Sequence, residues 1–171
     1  MSLPSVEVTI GRRYHGPFLD AVVTGWRRSW TVACPNNKYY FTAPHTSDRI
    51  YPQHILYLNV EPATGSTLNG VLFVVSKEEL ARFDAREWCY ERVAITSDLV
   101  DVTVEGGEAF VYVGQETAVL RDVISPRVGA VLQGYLDIVE AGLSSRDTAF
   151  REHYLRSTVP HPPQLIIEAH T

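Results

Sequence analysis

Glu87 is the first candidate for a chemically active side chain, because a helix is predicted to end and a strand to begin around it. It belongs to the stretch RFDAREWCYERVAI, in which Asp84 adds a second carboxylate. A carboxylate at the carboxyl end of a helix meets the negative end of the helix dipole, which is unfavourable by about 0.3–1 kcal/mol. Strand alternation places Glu87 on the same face as Val93 and Ile95, toward the predicted core. The alternative is an acid turned to solvent where the strand frays, and the pattern alone favours that alternative.

The histidines and cysteines give weaker indications of chemistry. The six histidines are scattered without the spacing typical of metal ligands, so we expect no metal site. Cys34 and Cys89 do not make a disulfide framework, and no C-x-x-C pair is present. Cys89 could act as a nucleophile beside a histidine, but we predict the more frequent outcome, a buried apolar cysteine. Neither a G-x-S-x-G motif nor a glycine-rich phosphate loop occurs in the sequence.

Composition and charge exclude several classes of partner. The chain has 171 residues, a formal net charge of -5 and a pI near 5.6. Its basic doublets, Arg12-Arg13 and Arg27-Arg28, are too small for a phosphate-binding stripe, so we expect neither a nucleic acid nor a membrane partner. No apolar run reaches the length of a membrane span, and no signal-peptide pattern is present. We therefore expect one cytoplasmic domain over 1–171 with reduced cysteines.

The first half of the chain is predicted to form strands followed by one helix. FLDAVVTGW and RRSWTVAC are rich in β-branched and aromatic residues and are predicted as two strands broken at Gly25. HILYLNVEP and LNGVLFVVS are predicted as a β-hairpin, because the PATGST between them consists of turn residues. Ser76 and Glu79 form a capping box that predicts a helix over 77–85.

The second half is predicted to begin with strands and to end mainly with helices. CYERVAI is predicted as a strand, and VDVTVEGGEAFVYVG as a hairpin around Gly106-Gly107. Ser125 and Pro126 indicate the start of a helix that ends at Gly142. A second helix around Phe150 comes next, and LIIE is predicted as a last strand. This order favours an α+β fold with a mixed or antiparallel, barrel-like sheet flanked by helices.

Six segments of the chain succeed one another in an order and spacing typical of one protein family. The segments are, in chain order, AVVTGWRRSW, GVLF, FDARE, YERVAI, FVYVG and SPRVGAVLQGYLDIVEAGL. The last contains Tyr135 and Gly142 at the relative spacing of the family's late helix. By these segments the chain resembles the γ-glutamylcyclotransferase-like superfamily, and the likeness covers the chain from about Ala21 to about Leu155.

The resemblance implies an intramolecular reaction. The α-amine of a γ-glutamyl peptide, a γ-glutamylamine or glutathione attacks the γ-carbonyl of the same molecule and closes the ring of 5-oxoproline. Because both reacting groups belong to one substrate, much of the proximity effect is already present. Glu87 matches the family's general base, an effect typically worth about 10²–10⁴-fold in rate. The resemblance implies neither a metal nor an organic cofactor.

The resemblance also implies substrate-binding residues. Tyr90 and Tyr112 match tyrosines near the family's site, although strand aromatics that pack on a half-buried face explain them equally well. Arg27 and Arg28 lie on opposite faces of a strand, so at most one points inward to meet a substrate carboxylate. We take Arg27 as that candidate.

The chain departs from the family in one signature, the loop Y-G-S-[NL]-[LM]. The tripeptide Tyr-Gly-Ser, whose backbone N–H groups would face the γ-glutamyl part, does not occur in this sequence. MSLPSVEVTIGRRY resembles the family segment on the carboxyl side of that loop, so Met1 would match the last residue of the loop and the first strand would be missing. The alternatives are a start assigned too late, added N-terminal residues, a shortened gene, or a substitute strand in VEVTIG.

The missing signature keeps a second function open. A catalytically silent family member would bind a small amine ligand or a protein partner instead of turning over a γ-glutamyl substrate. A missing strand would also leave an unpaired sheet edge, which a homodimer could cover.

Overall fold

The computed structural model describes residues 2–171, which adopt an α+β fold with a mixed sheet, as predicted. The helices are α1 (Leu3–Ile10), α2 (Lys77–Arg86), α3 (Gln133–Ser144) and α4 (Thr148–Arg156). The strands are β1 (Phe18–Pro35), β2 (Phe41–Thr42), β3 (Arg49–Ile50), β4 (His54–Phe73), β5 (Tyr90–Ala94), β6 (Phe110–Gly114), β7 (Gly129–Leu132) and β8 (Ile166–Ile167). Short 3-10 helices lie at Thr96–Asp98, Glu116–Ala118 and Pro163–Leu165.

The sheet is built on one long antiparallel ribbon formed by β1 and β4. Pairing extends along both strands, with two register shifts. Gly25 and Gly65 lie at the first of these shifts, and their φ angles are 83° and 79°. Glycine adopts this left-handed backbone conformation without steric strain. The two glycines therefore let the ribbon bulge and bend without ending either strand.

Two strand predictions are wrong for this reason. Gly25 does not break the first strand, because FLDAVVTGW and RRSWTVAC both lie within β1. PATGST does not reverse the chain, because HILYLNVEP and the start of LNGVLFVVS both lie within β4. Residues that form turns also form β-bulges, so residue type alone does not distinguish a turn from a bulge. The pairing with the neighbouring strand does. The true hairpin-like pairing is between β1 and β4, across residues 36–53.

The other strands extend the ribbon on one side only. The order of the mixed sheet is β1-β4-β7-β8, in which β7 pairs parallel with His54 and Ile55 of β4 and β8 pairs parallel with β7. β5 and β6 form a separate antiparallel pair. The hairpin predicted around Gly106-Gly107 is therefore wrong, because β6 pairs with β5 and not with the residues just before it. Within residues 2–171 no closed barrel forms, so the predicted barrel-like shape is not confirmed.

The late helix begins further along the chain than predicted. Ser125 begins a turn in which its carbonyl accepts hydrogen bonds, and β7 comes next with every residue buried. A buried run flanked by strands on both sides is typical of a parallel strand. The helix predicted from Ser125-Pro126 to Gly142 is thus wrong at both ends, since α3 spans Gln133–Ser144. The helix around Phe150 is confirmed as α4, and LIIE contains β8.

Among residues 2–171, no helix is both long and apolar enough to cross a membrane.

The N-terminal segment is a helix and not a substitute strand. The Ser2 side chain caps α1, and a proline lies in its first turn. Val6 and Ile10 are four positions apart and almost fully buried, and they cluster with Phe83 of α2. The alternative in which VEVTIG replaces a first strand is therefore wrong. The predicted match of Met1 to the end of the family loop lies outside the described residues.

Candidate active site

Glu87 lies at the carboxyl end of α2, as the sequence predicts. Its N–H donates to the carbonyl of Phe83 over 2.8 Å, and its own carbonyl accepts from the N–H of Tyr90 over 2.8 Å. These two bonds hold the backbone between helix and strand. The Glu87 side chain is only 19% exposed. Glu87 is therefore not the solvated acid that the pattern alone favours.

The surroundings of Glu87 favour its protonated form. Burial raises the pKa of Glu87, and the guanidinium of Arg86 opposes that rise. Arg86 Nε lies 3.4 Å from Glu87 Oε1, but the same guanidinium also donates to the side chains of Ser5 and Thr9 in α1. Its positive charge is therefore shared between the helices. A carboxylate that holds a proton more tightly than free glutamate is suited to accept one from a bound ammonium.

The charge of Glu87 acts on two largely buried phenols, those of Tyr90 and Tyr135. Tyr90 Oη donates to the carbonyl of Leu58 over 2.8 Å. Burial raises the pKa of Tyr90, and Tyr135 and Glu87 raise it further. Burial likewise raises the pKa of Tyr135, with Tyr154 and Glu87 adding to the rise. Both phenols therefore stay uncharged at neutral pH.

Tyr135 is a site residue that sequence reasoning missed. The sequence places it in the apolar stripe of a late helix, and the structure places it in the first turn of α3. Its ring centroid lies 5.2 Å from that of Tyr57 and 5.9 Å from that of Trp30. The signal available in the sequence was its hydroxyl group, because a tyrosine in an apolar stripe carries a polar atom that requires a partner in the core.

Tyr112, a predicted substrate-binding residue, is engaged within the protein. Its Oη donates to Asp84 Oδ1 over 2.7 Å, and Asp84 Oδ2 accepts from Arg92 over 2.7 Å. Burial and the bond to Asp84 raise the pKa of Tyr112. Asp84 lies one helical turn before Glu87, so Tyr112 ties β6 to the helix that carries the candidate base. Its role toward a substrate stays a prediction.

Arg28, and not Arg27, is the inward-facing arginine of β1. Arg28 is 9% exposed, and burial lowers its pKa to about 10. Arg27 has a 48% exposed side chain and pairs with Glu61 over 2.9 Å. Glu61 also accepts from Arg121 over 2.8 Å. Of the two arginines, the geometry therefore favours Arg28 as a group that could meet a substrate carboxylate, although the sequence reasoning chose Arg27.

Cys89 lies two positions beyond Glu87 and is joined to Cys34 by a disulfide bond. The Cα atoms are 6.3 Å apart, within the ordinary range for a bridge. Cys89 is buried, as predicted, but the expectation of reduced, unpaired cysteines is wrong. The sequence alone does not predict this pairing, because 55 positions separate the two residues and only the fold brings β1 against the end of α2.

Neither a protein-family model nor a curated protein matches the chain. Function is therefore inferred from the geometry around Glu87 and from the sequence segments that surround it.

Proposed function

We propose that the protein is a γ-glutamylcyclotransferase-like enzyme that releases 5-oxoproline from a γ-glutamyl peptide or amine, with Glu87 as general base. One observation carries this proposal. The Glu87 carboxylate is largely buried at the junction of α2 and β5 and has a raised pKa. Keeping a carboxylate away from water lowers the stability of the folded protein. Glu87 stands at the position where the resemblance implies the general base, so its burial there favours a chemical role.

The order of the elements supports the same proposal. GVLF is the last part of β4, FDARE ends α2, YERVAI contains β5, and FVYVG is β6. The resemblance implies this succession of strand, helix, acid and paired strands. We propose on this basis that the mixed sheet is that of the γ-glutamylcyclotransferase-like fold, although it does not close into a barrel within residues 2–171.

The proposed reaction moves two protons from the attacking nitrogen to the leaving nitrogen. Glu87 accepts the first proton from the substrate's α-ammonium group, and the free amine then attacks the γ-carbonyl. A carbon–nitrogen bond forms to close the five-membered ring, Glu87 gives its proton to the leaving nitrogen, and the bond between that nitrogen and the γ-carbon breaks. Glu87 then takes the second proton from the ring nitrogen, which becomes an amide N–H, and passes it to the released amine, so Glu87 ends the cycle ionised. The uncharged phenols of Tyr90 and Tyr135 add no positive charge that would repel the substrate's ammonium group.

The test is 5-oxoproline release from a panel of γ-glutamyl donors. Glu87→Gln keeps the size of the side chain and removes the base, so we expect kcat to fall by about 10²–10⁴-fold. Glu91→Gln is the matched control, because Glu91 is an exposed acid of β5 in the same segment. Equal turnover by wild type and Glu87→Gln would exclude Glu87 as the base, and no release from any donor would exclude the reaction.

A catalytically silent binding protein is the second candidate. The absence of Tyr-Gly-Ser from the sequence favours it, since donor groups that stabilise a transition state typically contribute about 10²–10³-fold each. Such a protein would bind a γ-glutamyl amine without turning it over. Glu87→Gln would then leave ligand binding largely intact, as measured by isothermal titration calorimetry.

A further inference from the structure

The guanidinium of Arg28 is buried without a carboxylate partner. Its Nη1 donates to Ser157 Oγ over 3.1 Å and to Asn69 Oδ1 over 3.4 Å, and its Cζ lies 4.4 Å from the ring centroid of Tyr154. Arg28 takes part in none of the ion pairs found within residues 2–171. Buried charges in proteins are usually paired or bound to a ligand of opposite charge. A buried cation held only by neutral groups is therefore a candidate anion-binding group.

Tyr154 supplies a second donor next to this cation. Its hydroxyl is buried and has no hydrogen-bond partner among the described residues. Burial raises the pKa of Tyr154, whereas Arg28 and the hydroxyl of Thr158, which itself donates to the Tyr154 carbonyl over 2.6 Å, lower it. The Tyr154 hydroxyl therefore stays protonated. A buried O–H without an acceptor is costly, and one ligand carboxylate could accept from Tyr154 and Arg28 together.

Strand β4 connects this pair to the segment of the candidate base. Tyr90, three residues beyond Glu87, donates to the carbonyl of Leu58 in β4 over 2.8 Å, and Val60, two residues further along β4, is the register partner of Arg28. The charged side chain beside Glu87 is Arg86 and not Arg28. The buried cation and the proton acceptor are thus tied to the same stretch of β4 but occupy separate positions.

A surface groove lies next to the hydrogen-bond partner of Arg28. Ser157, which accepts from Arg28, also lines a surface groove of about 560 Å³. The groove brings solvent to within one side chain of the guanidinium.

We infer that Arg28 and Tyr154 form a carboxylate-binding subsite that selects γ-glutamyl donors whose leaving group is an amino acid. This inference rests on the proposed function. The substrate's α-carboxylate shares a carbon with the attacking amine and would lie beside Glu87. The carboxylate of a leaving amino acid lies across the scissile bond and fits the separate position of Arg28. A simple amine as leaving group would leave the Tyr154 hydroxyl without an acceptor and Arg28 without a counter-charge.

The experiment compares two donors that differ by this carboxylate alone. γ-Glutamylalanine and γ-glutamylethylamine have leaving groups of the same carbon skeleton, apart from the carboxylate. We expect wild type to prefer γ-glutamylalanine by about 10–100-fold in kcat/KM, because the alanine carboxylate would accept hydrogen bonds from Arg28 and Tyr154. Arg28→Met should bring this ratio close to one. Arg151→Met is the matched control, because Arg151 lies in α4 and pairs with Glu140, and it should keep the preference.

The outcomes separate this inference from the proposed function. Equal kcat/KM for the two donors in wild type would overturn the subsite and leave 5-oxoproline release standing. Release from no donor at all would overturn the function, and the subsite with it. If circular dichroism shows that Arg28→Met does not fold, Tyr154→Phe replaces it, since it removes only the unpartnered hydroxyl. A Tyr154→Phe variant that folds and keeps the full preference would also count against the subsite.

Discussion

Cys34 and Cys89 join the end of β1 to the segment just after Glu87, across 55 positions of the sequence. The bridge and the two backbone hydrogen bonds of Glu87 act on the same short segment between α2 and β5. The position of the candidate base therefore depends on a covalent link to the sheet as well as on the helix that precedes it.

Reduction of this disulfide should destabilise the protein. Opening a loop of this length restores entropy to the unfolded chain, and the chain-entropy estimate for it is about 4 kcal/mol. Urea unfolding with and without a reductant measures the difference. The double variant Cys34→Ser, Cys89→Ser should be insensitive to the reductant. Two alkylatable thiols in the unreduced, denatured protein would show that the bond is not formed.

Glu87→Gln should change how stability depends on pH. Burial raises the pKa of Glu87 above its ordinary value of 4.5. A carboxyl group of this kind contributes stability that is fully present below its ordinary pKa and is lost as pH rises through the pKa of the folded state. Relative to Glu87→Gln, wild type should therefore lose free energy of unfolding as pH increases above 4.5. Urea unfolding at a series of pH values tests this.

The control for that experiment is Glu91→Gln, which removes an exposed acid from the adjacent strand. If Glu87→Gln and wild type show parallel pH profiles while both stay folded, the Glu87 carboxylate is not desolvated as described.

Tyr112→Phe should cost about 0.5–1.5 kcal/mol of stability, because it removes the 2.7 Å hydrogen bond to Asp84. Asp84 keeps Arg92 as a partner, so the loss should not be larger. Tyr51→Phe is the control, since the Tyr51 residue is 56% exposed. A raised KM for a γ-glutamyl donor at unchanged stability would instead support the substrate-binding role that the resemblance implies for Tyr112.

Ile10→Ala and Val8→Ala should differ sharply, although both positions belong to the same alternating apolar pattern. Ile10 is 2% exposed and packs on α2, so its truncation should cost about 2–5 kcal/mol. Val8 is 83% exposed, so its truncation should change the free energy of unfolding by at most about 0.5 kcal/mol. Thermal unfolding of the two variants is the measurement. Similar losses would favour a strand over 6–10 in place of α1.

Local signals predicted the parts of the fold that depend on neighbouring residues. The capping box of Ser76 and Glu79 is formed in both directions, and α2 ends one residue beyond the predicted range. The position of Glu87 at the helix end is a direct result of this. The inward orientation of Glu87 could only be proposed, because burial depends on α1 and β5 packing around it.

Signals with two structural meanings led to the wrong predictions. Gly25 fits a turn and a bulge equally, and only the pairing of β1 with β4 decides. The alternation of Val6, Val8 and Ile10 fits a strand, but Val6 and Ile10 also have helical spacing. The segment is a helix, which lets both of these side chains pack with Phe83. The disulfide and the phenol of Tyr135 near Glu87 depend on contacts between distant segments, which no local pattern predicts.

The ribbon of β1 and β4 has a consequence for the order in which the chain folds. Pairing at Pro35 and His54 closes only the loop over 36–53, whereas pairing at Phe18 and Phe73 closes a much longer one. The difference in loop-closure entropy is about 1 kcal/mol in favour of the shorter loop. We therefore expect β1 and β4 to pair first at Pro35 and His54 and last at Phe18 and Phe73. The end that leads into α2 and Glu87 pairs last, so the surroundings of Glu87 should form only after most of the sheet is in place.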